Sequence, residues 1–141
     1  MDIHPATAVR ERAIDVDVIL GLVADFEHAQ QNERVDDFVA LFGENPVWTT
    51  GHGKRLDGLE EIASFTAKVL PGAMREATQR YDVARIAFIG PDVAIVNVEQ
   101  TPITHDGRVI EGAPTGRPFW VLAQDTEWRI VGAQNTQVVE A

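Results

Sequence analysis

The chain contains no cysteine, one serine and one tyrosine among its 141 residues. Without cysteine there are no disulfides, no thiolate metal ligands and no cysteine nucleophile. The single serine, Ser64, lies within a predicted helix and not in the Gly-x-Ser-x-Gly turn that presents a serine nucleophile. The sequence therefore gives little support to nucleophilic catalysis.

Basic residues are also few, since 12 Lys and Arg stand against 22 Asp and Glu, for a formal net charge of −10. This balance argues against binding to nucleic acid or to anionic membranes, which both require clustered basic side chains. No apolar run approaches the roughly 20 residues of a membrane-spanning helix, and residues 1–13 lack the apolar stretch of a signal peptide. We therefore expect a cytoplasmic protein without nucleic-acid or membrane partners.

Patterns typical of metal and cofactor sites are missing as well. No two of the four histidines have the His-x-x-x-His spacing of a metal site on one helix face. The segment Gly51-His52-Gly53 is too short to be a glycine-rich phosphate loop. We predict neither a metal nor a cofactor.

The first half of the chain has helical periodicity and the second half has the pattern of strands. Apolar residues at helical spacing predict a first helix with a buried stripe of Ile14, Val18, Leu22, Phe26 and Ala29. A second helix is predicted after Asn32, with a buried face of Val35, Phe38, Val39 and Phe42, and a third from Asp57 to Pro71. Residues 1–13 are predicted to be a flexible leader before a single domain over residues 14–138.

From about residue 80 the chain is expected to be a meander of strands. The predicted strands span residues 81–89 and 93–104, and a final hairpin runs over 117–124 and 127–136. The order of elements predicts an α+β fold, in which three N-terminal helices wrap a curved, conical, mainly antiparallel (mixed) sheet around a pocket.

The final hairpin carries polar side chains where a core strand would be apolar. Trp120, Gln134 and Asn135 lie within its two strands. Because a buried amide without partners is costly, these residues indicate the wall of a ligand cavity. The alternative is that the amides only tie strand to helix.

Several segments together resemble the nuclear transport factor 2-like superfamily, and within it the SnoaL-like group that includes polyketide cyclases. They are Leu41–Pro46, the helix entry Leu56-Asp57-Gly58, Asp92-Val93-Ala94, and the ending Trp128-Arg129-Ile130 with Gln134-Asn135-Thr136. The closing Gln-Asn-Thr is similar to the SgcJ/EcaC subfamily, which is associated with enediyne and other natural-product biosynthesis.

The resemblance also implies what this chain lacks. In ketosteroid isomerases a carboxylate base works with a tyrosine and a protonated aspartic acid. Phe26 stands here at the position of the tyrosine, Thr50 at that of the base, and Trp120 at that of the aspartic acid. Isomerase chemistry of that type is therefore not expected.

The same alignment implies that Asn97 and Glu99 face the cavity, and it makes Glu99 the first candidate for proton transfer. The alternative is that they lie on the solvated face of the sheet. His52, in a turn near the expected cavity mouth, is the second catalytic candidate. It competes with the interpretation of a simple exposed turn histidine.

Further residues are predicted to contact the ligand. Trp48 and Trp120 form an aromatic wall, Thr50 and His52 share the strand face of Trp48, and Tyr81 is a possible donor beside the pocket. Gln134 and Asn135 complete the set, with Asn135 the choice for the ligand side. For either tryptophan alone, ordinary core packing is the alternative.

The resemblance favours a cofactor-independent accessory enzyme that cyclises, isomerises, dehydrates or hydrates a hydrophobic, polyketide-like molecule. Two alternatives stay open: a protein that binds and sequesters such a molecule, and a module that recognises a partner. A homodimer is expected through the outer face of the sheet, with Val96, Val98, Val121 and Ala123 in the contact.

Overall fold

The computed structural model describes residues 1–139. The helices of this part are α1 (Ala8–Glu11), α2 (Ala13–Gln31), α3 (Val35–Val39) and α4 (Leu59–Val69). Its strands are β1 (Asp2–His4), β2 (Phe42–Thr49), β3 (Arg55–Asp57), β4 (Thr78–Phe88), β5 (Val93–Ile103), β6 (Phe119–Gln124) and β7 (Trp128–Gln134).

The strands form one sheet in the order β1-β4-β5-β6-β7-β2-β3. Neighbouring strands are antiparallel except for the pairs β1·β4 and β2·β7, which are parallel. Register shifts after Val83 in β4 and after Val121 in β6 mark bulges, and bulges bend a sheet. The predicted α+β class with a curved, mixed sheet and helices packed on it is confirmed.

Helix α2 covers the inner face of the sheet, but its buried stripe differs from the predicted one. Leu22 and Phe26 are buried as predicted, whereas Ile14 is 81% exposed and Val18 is 48% exposed. Val16 and Ile19 take their places in the core. From Ile14 to Phe26 the predicted stripe has a spacing of four residues, which drifts around a helix of 3.6 residues per turn.

The first residues of the chain are paired and packed, contrary to the loose leader predicted for residues 1–13. Ile3 pairs with Ile86 in the parallel β1·β4 contact, and Ala8 is 1% exposed. His4-Pro5 lies at the junction between β1 and the turn that leads into α1. The domain boundary at residue 14 stays a prediction.

Helix α2 also contacts the part of β4 that β1 does not cover. The Gln31 side chain donates to the backbone oxygen of Gln79 at 2.8 Å. The Glu27 carboxylate accepts from the backbone N–H of Tyr81 at 2.7 Å. Side chains of the helix thus satisfy backbone groups that a further strand would otherwise satisfy.

The inner face of β5 is the reverse of the predicted one. Val96 and Val98 are at most 1% exposed and belong to the core, so they are not available for the predicted dimer contact. Val121 lies on the outer face opposite Ile95, where both are half-buried. In a sheet covered on one side by helices, the apolar set of an alternating strand faces those helices.

Candidate functional site

A cavity of about 380 Å³ lies between the sheet and helices α2, α3 and α4. Aromatic rings form much of its wall: Phe26, Phe38, Trp48, Phe65, Tyr81 and Trp120. The rings of Phe26 and Trp120 have centroids 4.6 Å apart, and those of Trp48 and Phe65 are 5.9 Å apart, edge to face. These contacts hold the rings in fixed positions and give the cavity flat, apolar surfaces.

No formally charged side chain from the described part of the chain lines this cavity. Among its lining residues within the described range 1–139 there is no Asp, Glu, Lys or Arg. Its titratable side chains are His52, which is exposed at the rim, and Tyr81, which is buried. Burial raises the pKa of Tyr81 well above its ordinary value, so its hydroxyl keeps its proton at neutral pH.

Seven of the nine residues predicted for the site come together at this cavity. They are Trp48, Thr50, His52, Tyr81, Trp120, Gln134 and Asn135. Gln134 is itself exposed, whereas Asn135 is half-buried and contacts other cavity residues. The structure brings these side chains together, and their functional roles stay predictions.

The predicted inward direction of Glu99 and Asn97 is wrong. Glu99 is exposed on the outer face of the sheet, where its carboxylate lies 3.4 Å from Nε of Arg117. Asn97 occupies the same face of β5, two residues earlier. The inner face of β5 carries Val96 and Val98. This orientation leaves the Glu99 carboxylate in water and avoids the free-energy cost of burying its charge. Glu99 therefore lies on the face of the sheet away from the cavity and cannot act there as an acid or a base.

The three positions that the alignment matched to isomerase catalytic groups do line the cavity. They carry Phe26, Thr50 and Trp120, none of which holds a carboxylate or phenol. The Thr50 hydroxyl accepts a hydrogen bond from the backbone N–H of Lys54 at 3.2 Å. It therefore stabilises the turn after β2, and a hydroxyl of ordinary acidity is no general base.

A row of four polar side chains crosses one end of the cavity. Asn135 Nδ2 donates to Gln100 Oε1 at 2.6 Å, and Gln100 Nε2 donates to the Tyr81 hydroxyl at 3.2 Å. The Tyr81 hydroxyl in turn donates to Gln30 Oε1. Sequence reasoning missed Gln30 and Gln100. Periodicity could have found both residues. Gln100 lies on the same face of β5 as Val96 and Val98, and Gln30 lies one helical turn after Phe26, on the same face of α2.

Two buried oxygen atoms of cavity residues have no hydrogen-bond partner within residues 1–139. They are Oγ1 of Thr66, a residue that is 2% exposed, and Oδ1 of Asn135. Buried polar atoms are usually satisfied. Neither oxygen has appreciable accessible surface, so a ligand could bond to it only after the surrounding side chains had moved.

A second, more open groove of about 500 Å³ lies between α2 and the turn joining β6 to β7. Its lining includes Asp15 and Glu127, which are already bonded to Arg12 and Arg129 respectively. The groove is larger, but Trp128 is the one aromatic residue among its described lining residues, so the aromatic cavity is the candidate site. No cluster of three or more potential metal-ligating side chains occurs among residues 1–139. None of the helices described is long and apolar enough to span a membrane.

No protein-family model and no curated protein matches the sequence. Solved structures do match. A domain with a cystatin-like fold from Nostoc punctiforme superposes with a TM-score of 0.79 at 22% identity, over 90% of this chain and 79% of that one. A nuclear transport factor 2-like protein with a cystatin-like fold from Novosphingobium aromaticivorans gives 0.72 at 15% identity, over 100% and 94%.

A third match is a ketosteroid isomerase-like protein from Erwinia carotovora atroseptica, with a TM-score of 0.69 at 14% identity, over 88% of this chain and 96% of that one. The resemblance to the nuclear transport factor 2-like fold is thereby confirmed. At these identities the likeness concerns the fold alone. The similarity to the SgcJ/EcaC subfamily stays a prediction.

Proposed function

We propose that this nuclear transport factor 2-like fold binds a small, uncharged, largely apolar molecule in its aromatic cavity. The observation that carries the proposal is the wall itself, which combines six aromatic rings with no formally charged side chain among the described residues. A charged ligand would lose its hydration there without gaining a counter-ion. A flat apolar ligand would gain both burial and ring contacts.

Binding is better supported than proton transfer. A general base must lie within hydrogen-bond reach of the proton that it removes, and the leading candidate, Glu99, lies on the other side of the sheet. The amides of Gln100 and Asn135 orient polar groups but do not take up protons at neutral pH. A protein that holds or sequesters a molecule needs only the groups that the cavity has.

Calorimetric titration with two probes of similar size and different charge tests the proposal. We expect 2-methoxynaphthalene, which is neutral, to bind, and 2-naphthoate, which is anionic, to bind at least about tenfold more weakly. Phe65→Ala is expected to weaken binding of the neutral probe, because Phe65 lines the cavity. The matched control is Phe119→Ala, since Phe119 is 42% exposed on the outer side of β6. Tighter binding of the anion, or no binding of either probe, would contradict the proposal.

A second candidate function is catalysis on a polyketide-like or enediyne-type intermediate, in line with the SnoaL-like resemblance. The observation that favours it is His52, the one imidazole lining the described cavity and the residue type that most often acts as a general acid or base. In this reading His52 transfers a proton at the cavity mouth while the amides hold a ligand oxygen.

Hydrogen–deuterium exchange of a bound ketone separates the two candidates. With 1-tetralone as the probe, an enzyme of this kind accelerates exchange of the α-protons in D₂O, and His52→Gln removes the acceleration without weakening binding. A wild-type protein that binds the ketone and leaves its exchange rate unchanged supports binding alone.

A further inference from the structure

A smaller polar recess of about 130 Å³ adjoins the aromatic cavity at the end where Gln100 bonds to Asn135. Four residues line both spaces: Gly51, His52, Gln100 and Asn135. His52 is exposed, and Gly51 adds no side chain to the boundary. The cavity and the polar recess therefore share one rim, formed by the turn after β2.

The polar recess differs from the aromatic cavity in its chemistry. Its described lining contains no Phe, Tyr or Trp and no Asp, Glu, Lys or Arg. Its side chains with an amide or hydroxyl group are Gln79, Gln100, Thr115, Asn135 and Gln137. Amides and hydroxyls both donate and accept hydrogen bonds, as the hydroxyl groups of a ligand do. A charged group would find no counter-ion in this lining.

Three of these side chains are accessible and have no hydrogen-bond partner within residues 1–139. Thr115 and Gln137 are exposed, and Gln79 is half-buried. The contact of Gln31 with Gln79 uses the backbone oxygen of Gln79, which leaves the side-chain amide available. Gln100 and Asn135, by contrast, are bonded to each other. A ligand in the polar recess can therefore bond to the three available side chains without breaking the amide pair.

We infer that the ligand carries an uncharged, polyhydroxylated substituent, such as a sugar ring, which crosses the rim at Gly51-His52 and binds in the polar recess. The ligand is then an aromatic glycoside or a related polyol ether, with its ring system in the aromatic cavity. The inference rests on the proposed function, because the ring system occupies the same cavity. Gln79, Thr115 and Gln137 bond to the hydroxyl groups and determine the preference for them.

Two neutral probes test this inference on the wild-type protein. 2-Naphthyl β-D-glucoside and 2-methoxynaphthalene are ethers of the same ring system at the same carbon, and glucose in the first replaces the methyl group of the second. We expect the glucoside to bind about tenfold more tightly by calorimetry, since each hydrogen bond to the polar recess adds modestly to the affinity. This comparison needs no variant and is independent of whether any substitution disturbs folding.

Variants then locate the sugar. Gln79 and Gln137 line the polar recess and are not among the residues of the aromatic cavity. The double variant Gln79→Ala/Gln137→Ala is expected to reduce the affinity for the glucoside to that for 2-methoxynaphthalene and to leave the affinity for the ether unchanged. The matched control is Gln124→Ala, because Gln124 is also half-buried but lines the groove beside α2. Retention of the preference in the double variant, or its loss in the control, would overturn the assignment to the polar recess.

The results on wild-type protein separate the two proposals. Equal affinities, or tighter binding of 2-methoxynaphthalene, would overturn the inference and leave the proposed binding of an uncharged molecule intact. Binding of neither probe would overturn the proposed function and the inference with it.

Discussion

Asn135 and Gln100 form a side-chain amide pair, with Nδ2 of the first 2.6 Å from Oε1 of the second. The two residues come from separate parts of the sheet, since Gln100 is in β5 and Asn135 directly follows β7. Gly116, which exchanges backbone hydrogen bonds with Gln100, lies against both side chains. The pair therefore depends on the absence of a side chain at position 116.

Gly116→Ala is expected to lower the free energy of unfolding by about 1–3 kcal/mol, because the new methyl group would overlap both amide oxygens. Urea unfolding measures the change. The matched control is Gly132→Ala, where the added Cβ would be 3.7 Å from Val121, an ordinary contact, and where we expect a change of less than about 1 kcal/mol. Equal effects of the two substitutions would contradict the close packing around the amide pair.

Tyr81 is expected to keep its proton at pH values where an exposed tyrosine has lost it. Burial raises the pKa of the Tyr81 hydroxyl in the folded protein. In the unfolded chain the same hydroxyl ionises near pH 10. The folded state therefore holds one more proton than the unfolded state above about pH 10, and the free energy of unfolding falls as the pH rises. Because Tyr81 is the sole tyrosine, phenolate absorbance follows it directly.

The control for this titration is Tyr81→Phe, which keeps the ring that meets Phe26 edge to face. Its stability is expected to fall less steeply above pH 10. At neutral pH it is expected to be about 1–3 kcal/mol less stable than wild type, because Gln30 and Gln100 lose their common partner. A phenolate signal that appears near pH 10 in the folded wild-type protein would contradict the prediction.

Asp15 is expected to contribute stability that is lost in acid. Its pKa is lowered by hydrogen bonds from Trp128 Nε1, at 3.0 Å, and from Arg12 Nε, at 2.7 Å. A carboxyl group whose pKa is lower in the folded state stabilises the fold above its ordinary pKa of about 3.9, and the contribution disappears as the pH falls below that value. Asp15→Asn is expected to cost about 1–2 kcal/mol at pH 7 and to flatten the acid limb of the stability profile.

The matched control for this substitution is Asp17→Asn, an exposed aspartate on the same helix. Thermal unfolding between pH 3 and pH 7 compares the two variants. If Asp17→Asn changed the acid limb as much as Asp15→Asn did, the bond to Trp128 would not be the cause.

Glu33 is expected to hold the segment that closes the cavity after α4. Its carboxylate accepts hydrogen bonds from the backbone N–H groups of Gly72, at 2.6 Å, and Met74, at 3.1 Å. Met74 lines the cavity. Glu33→Gln leaves a single acceptor oxygen and is expected to speed amide hydrogen exchange at Gly72 and Met74 about tenfold. Glu76→Gln, an exposed glutamate close in sequence, is expected to leave both rates unchanged.

Because Val96 and Val98 are buried in the core, the predicted homodimer has to form through other residues on the outer face of the sheet. Val121 and Phe119 remain there, partly exposed. Light scattering is expected to give twice the chain mass of 15.5 kDa, and Val121→Asp to return it to the monomer value. The control is Val18→Asp, which charges an exposed valine on α2. A wild-type mass of 15.5 kDa at micromolar concentration would end the dimer prediction.

Much of the fold follows from local pattern. The final strands were predicted within about two residues because the turn at Asp125-Thr126 and the alternation around it are local signals. Phe42 shows the limit of such signals. The local sequence predicts a helix at this residue, but Phe42 begins β2 and pairs with Ile130, which lies 88 positions further along the chain.

The sequence predicts most of the residues that line the candidate site, but it does not predict the hydrogen bonds between them. The sequence places Trp48, Trp120 and Asn135 at the cavity, because large aromatic rings and a buried amide are typical of a ligand-cavity wall. Alternation along β5 puts its apolar side chains inward and Glu99 outward, which is the reverse of the direction that the resemblance implies. The bonds that join Gln30 to Tyr81 and Asn135 to Gln100 span 51 and 35 residues, and only the folded sheet sets those distances.

The contacts of α2 with β4 have a consequence for how this protein meets other copies of itself. A strand at the edge of a sheet is a template on which a foreign strand can form. Here β1 occupies part of that edge, and Gln31 and Glu27 hold backbone groups of Gln79 and Tyr81 next to it. An incoming strand would have to displace these side chains before it paired. Helix α2 thus protects strand β4 from pairing with edge strands of other molecules.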